Sequence, residues 1–177
     1  MAKKIVKRRR MSLSKENIQR KEKFQYILIL EGIGVGFFVG LIVSMFRFAF
    51  IKSESMRDIL VAASHQKILV ALLAAGLLLF MFTVAAAITK REPISGGSGI
   101  PQVEAELKGK LNARWIQVII GKFIGGILTV AGGLSLGSEG PSVQLGAMTG
   151  KGFSRLNQRL KTEEKLLLTC GSGAGLA

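Results

Sequence analysis

Cysteine and histidine are nearly missing from this chain: Cys170 and His65 each stand alone. One cysteine makes no internal disulfide, and one cysteine with one histidine builds no metal cluster. Proline is scarce as well, with 3 residues in 177. Together with a single short charged connector, Lys52 to Lys67, this argues against a second soluble domain. Acids are few, 11 against 25 Lys and Arg. The rings of carboxylates or carbonyls that a cation pathway needs are not in evidence. Catalytic arrangements are missing too. There is no Ser–His–Asp set and no carboxylate pair. The stretch "GAMTGKGF" (Gly146–Phe153) fails as a phosphate-binding loop, because the two glycines stand too close and Lys151 precedes Gly152. The chain reads as a non-enzyme with no cofactor and no metal site.

Apolar residues are abundant and bunched. They make up 49% of the chain, the mean hydropathy is +0.40, and there are 22 glycines. Ile68 to Thr89 carries no charge, which is long enough to cross a bilayer core as a helix. From Phe24 to Phe50 only Glu31 and Arg47 interrupt, and from Trp115 to Ser138 only Lys122. The expected class is an all-α integral membrane protein.

Charge is concentrated at the start. Met1 to Lys23 holds ten Lys and Arg against Glu16 and Glu22. Such a segment suits a cytoplasmic tail before a first span. It also suits a membrane anchor whose tail binds anionic lipid or nucleic acid. The apolar run that follows at once favours the topological reading, so nucleic acid is not an expected partner. That run is too long for a signal-peptide core and lacks a cleavage site. The expected organisation is a basic cytoplasmic tail over 1–23 and a multi-pass region over 24–177, in the cell membrane.

Helices are expected over about Phe24–Ile51, Lys67–Lys90 and Ala113–Leu136, with Lys52–Lys67 in water. Gly32, Gly36 and Gly40 share one face of the first, and Gly121 and Gly125 one face of the third, a device for close packing in lipid. Pro93, Gly96, Gly97 and Gly99 break the chain after the second helix, and Pro101 opens a short helix ending at Gly109. Gly137 breaks it again, and Pro141 starts a helix to Leu156. A last helix opens at "KTEEK" and is still apolar at Ala177, so the chain reads as a fragment cut inside an element.

The two breaks, "GGSGIP" (Gly96–Pro101) and "GSEGP" (Gly137–Pro141), share one design. Each places glycines before the positive end of a helix, where free N–H groups can meet an anion. Irregular backbone at membrane depth is tolerated where it lines a cavity, and broken helices aimed at anions recur in transporters. Ser98 adds a hydroxyl to the first break, as an anion ligand or as a helix cap. Glu139 sits on the second. A carboxylate at bilayer depth costs about 2.5–3.5 kcal/mol. Lying against the N–H groups of its own helix would offset that. The same position makes it a competitor for a bound anion, which leaves when protonated.

These motifs resemble the CLC family of chloride channels and proton-coupled chloride antiporters. "GSGIP" at Gly97–Pro101 is similar to the family's first anion-site motif, and "GSEGPSVQLGA" at Gly137–Ala147 to its second. "GKFIGG" at Gly121–Gly126 and "GSGAGLA" at the C-terminal end fall where the family has similar stretches. The resemblance implies broken and re-entrant helices that form an incomplete first half of an inverted-repeat fold. It implies chloride binding by Ser98, Gly99, Ile100 and Gly140, a gate and proton carrier at Glu139, and a structural ion pair between Glu104 and Lys122. Chloride and the bilayer are the implied partners, with protons if the protein is an antiporter. The full-length form would be a homodimer through helices not present here, and the fragment would be inactive alone. One position departs from the pattern: Ser138 stands where many members carry arginine.

Overall fold

The computed structural model describes residues 2–64, 68–134 and 136–177, with side chains from residue 26 onward. The basic side chains of residues 1–23, and His65, lie outside the described residues. All the regular structure described is helical: α1 (Ala2–Ser64), α2 (Ile68–Arg91), a 3-10 turn (Pro93–Ser95), α3 (Ile100–Leu107), α4 (Trp115–Ala131), α5 (Glu139–Leu156) and α6 (Lys161–Leu176). The chain divides into two units, Met1–Gly34 and Val35–Ala177. The first is helical from Ala2. The second holds every element after α1.

Two helical stretches, Tyr26–Ser64 and Ile68–Arg91, are long and apolar enough to cross a membrane, and Trp115–Ala131 is a shorter apolar helix. Helix α1 does not stop at Ile51, and the expected aqueous connector is helical through Ser64. The reason is local: 52–64 contains no proline or glycine to end a helix. Helix α4 is shorter than expected. Gly132 closes it and Gly133, at φ +100, turns the chain away well before Leu136.

Helix α5 is the centre of the second unit. Leu145, Ala147 and Met148 are buried along it, and Ala147 and Met148 join Val103 of α3, Val118 of α4 and Leu168 of α6 in one core. Against α6 the packing is backbone on backbone. A methyl group at Gly146 would overlap the Gly171 carbonyl, one at Gly150 the Leu167 carbonyl, and one at Gly175 the Ser142 carbonyl. Small residues at such a seam let two helices approach closely where lipid supplies no hydrophobic drive. Gly36 and Gly40, expected to make such an approach, face open space. The same is true of Gly32, and among the described residues the backbone-to-backbone seam is between α5 and α6. Gly121 does sit at a close approach, its α-carbon facing Ser95.

Aromatic packing joins α1 to α4: the Phe46 ring lies 5.6 Å from that of Phe123, and Ser53 donates to the Ile127 carbonyl at 3.2 Å.

Candidate functional site

The first break begins where α2 ends. Pro93 has no N–H to continue the helix, so the chain tightens into the 3-10 turn. Inside it, Ser95 N donates to Glu92 O at 3.0 Å and Gly96 N to Pro93 O at 3.1 Å. The next four carbonyls are taken by side chains. Gln144 Nε2 donates to Ile94 O at 2.7 Å. Lys122 Nζ donates to Ser95 O at 3.1 Å and to Gly97 O at 2.6 Å. Gln102 Nε2 donates to Gly96 O at 3.0 Å. Every acceptor from Glu92 to Gly97 is therefore engaged. Gly99, at φ +98, then turns the chain into α3, a conformation glycine adopts without steric cost. The first α3 bond from outside the helix is Val103 N to Gly99 O, 3.1 Å.

The second break lies directly against the first. Helix α5 opens at Glu139 with Ser138 as its cap residue. Ser142 closes the first turn, with N to Ser138 O at 3.0 Å and Oγ to the same oxygen at 2.7 Å. A Cβ on Gly140 would lie 2.5 Å from Ser98 O, and one on Gly99 would lie 3.1 Å from Gly140 O. Glycine at both positions lets the two backbones meet. Neither α3 nor α5 has a side-chain cap on its N-terminus. Two helix N-termini, each carrying about half a positive elementary charge, thus stand side by side with their leading N–H groups uncapped by side chains.

Ser98 and Glu139 are both exposed in this chain, as is Ile100, while Gly99 is buried and Gly140 half-buried. Gly99 is the α3 cap residue, so Ser98 does not cap that helix. Nor does Glu139 cap its own helix. Breaks and glycines thus converge, with the hydroxyl and the carboxylate at their edge.

The expected ion pair between Glu104 and Lys122 is not formed. Glu104 is exposed and paired with Lys108, whose ammonium holds its carboxyl below the usual carboxylate range. Lys122 is only 3% exposed, and its ammonium is satisfied by backbone carbonyls instead of a carboxylate. It borders a cavity of about 640 Å³ lined by Ser95, Gly97, Gly125, Thr129 and Pro141.

The buried pair belongs to other residues. Glu106 of α3 bonds Lys151 of α5, and both are buried. Lys151 also donates to Ala113 O at 2.8 Å and Asn112 Oδ1 at 3.0 Å, and Glu106 Oε2 accepts from Ala113 N at 2.8 Å. With these bonds the buried charges are satisfied rather than stranded. Helical phase does not separate the two acids: Glu104 and Glu106 flank the face marked by Val103 and Leu107 about equally, and it is the packing of Lys151 beside α3 that selects Glu106.

A family model described as voltage gated chloride channel matches residues 81–177. Among solved structures, the X-ray crystal structure of a slow cyanobacterial Cl−/H+ antiporter is 31% identical to this chain with a TM-score of 0.79. That match covers 85% of this chain and 36% of the antiporter, so the chain spans about a third of that protein's length.

Proposed function

Because the chain belongs to the voltage gated chloride channel family, we propose that it forms one wall of a transmembrane chloride pathway, in a channel or a chloride/proton antiporter. The observation that carries this reading is the contact of the two uncapped helix N-termini at Ser98 and Gly140. Chloride is a compact anion with no hydrogen to donate, so its site must offer donors and hide acceptors. The first break does both: its carbonyls are occupied up to Gly97, and the N–H groups near Gly99 and Ile100 open the next helix. Those groups, the Ser98 hydroxyl and the N–H of Gly140 bind the ion.

Glu139 is the gate. Ionised, its carboxylate competes with chloride for the same positive helix ends. Protonated, it loses that attraction and swings clear, which admits chloride and moves a proton. Ser138 leaves this entrance without an added positive charge. The exposed Phe37, Phe48, Leu72, Leu73 and Phe80 face lipid, and the rest of the site's wall comes from protein outside this chain. The 177 residues alone therefore do not conduct. The complete form is a multi-pass cell-membrane homodimer with a cytoplasmic N-terminus.

The test is chloride release from loaded liposomes that contain the intact transporter carrying this chain, with a potassium ionophore to balance charge. Sustained release is expected. Correctly folded protein that releases no chloride would sink the assignment.

A further inference from the structure

Four consecutive carbonyls, Ile94 to Gly97, are held by donors from three helices: Gln102 of α3, Lys122 of α4 and Gln144 of α5. No ladder of regular structure requires this. A loop beside an anion site has the opposite problem to a loop beside a cation site: any carbonyl that rotates into the path repels the ligand. Side-chain donors on every carbonyl fix the peptide planes, and with them the direction of the N–H groups that follow.

Gln144 is the informative member. It is 0% exposed, and it sits on the helix that Glu139 opens. Its Nε2 reaches back to the other break, at Ile94 O. Its body packs against Gly99, where an added Cβ would come within 2.7 Å of it. Its Oε1 is buried without a hydrogen-bond partner among the described residues, as is that of Gln102. A buried amide left half satisfied costs stability that an apolar residue of similar size would not. What the amide supplies, and an apolar residue cannot, is the donor to the carbonyl.

Resting on the chloride reading above, we propose that Gln144, together with Lys122 and Gln102, is a selectivity-determining positioning residue. The three hold the 94–97 carbonyls out of the anion path, and Gln144 locks the loop that carries Ser98 to the helix that carries Glu139. None of the three needs to touch the ion.

The experiment uses the intact transporter in liposomes and reads two quantities: the half-saturating chloride concentration and the chloride-over-nitrate permeability ratio. Wild-type protein comes first, and its failure to move chloride would count against the functional reading alone. With wild-type transport in hand, Gln144→Leu should raise half-saturating chloride about tenfold and lower the chloride-over-nitrate ratio. Being neutral, it does so without removing a charge. Lys122→Met should shift both quantities the same way, and Gln102→Leu, with one donor lost at a half-buried position, by about threefold. A packing role would reduce the amount of active protein and leave both quantities at wild-type values; that result in folded Gln144→Leu overturns the proposal. Should Gln144→Leu fail to fold, Gln102→Leu decides, and wild-type affinity and selectivity there overturn it equally.

Discussion

The two breaks are written in nearly the same residues and held in different ways. The loop before α3 has its carbonyls Ile94 to Gly97 fixed by Gln144, Lys122 and Gln102. Among the described residues, the break before α5, Gly137–Pro141, has no carbonyl held by a side chain of another helix: Ser142 bonds back to Ser138, and a Cβ on Gly137 would meet nothing within 4 Å. One break is clamped and the other is loosely tied, although both begin a helix with glycine and proline. A clamped break suits a binding surface that must not adapt, and a loosely tied one suits a side chain that must move.

Five variants of the full-length protein test that contrast. The largest effect is expected from Glu139→Gln, which fixes the proposed gate in a neutral form. Chloride-driven proton movement should vanish, or the pathway should stay open, and transport should lose its pH dependence. A pH profile matching wild type would break the contrast at its mobile end. Next comes Gly140→Ala, which sets a methyl against the Ser98 carbonyl where the breaks meet. Little folded protein should be recovered on size-exclusion chromatography, whereas Gly137→Ala, in open space, should behave as wild type. Ser98→Ala removes one of the donors proposed for chloride, and a hydrogen bond to a charged ligand is worth about 1.5–3 kcal/mol. Chloride binding by calorimetry should weaken roughly ten- to hundredfold. The smallest effect is Ser138→Arg, which adds a positive charge to the loose break. Half-saturating chloride should fall a few-fold at low salt, and the gain should fade at about 0.15 M ionic strength as screening sets in.

The helix order and both breaks were legible because proline and glycine act locally. Pro93 and Pro101 bracket a turn whatever surrounds them. The charge pattern was less informative about α1. Hydropathy marks where lipid contact ends, and the charged residues after Ile51 continue the helix because they are good helix formers. The pairing of the site's charges was the least legible part. Glu104 and Lys122 are neighbours in the motif order, yet the bond that matters joins Glu106 to Lys151, 45 residues apart. Gln144 was equally hidden. An amide in a small-residue run looks incidental until the fold brings Ile94 beside it.

The seam between α5 and α6 places limits on how the proposed gate at Glu139 can work. With Gly146, Gly150, Gly171 and Gly175 set backbone to backbone, the two helices amount to one stiff spar with no slack for sliding or rolling. A transporter that opened by tilting α5 would have to drag α6 along and shear the whole seam. Under the proposed gating, opening is thus confined to the tip of the spar, where Ser138 and Glu139 project. The moving part of that proposed gate is a few atoms of side chain hinged on a rigid mount, which favours brief local excursions over a slow swing of helices.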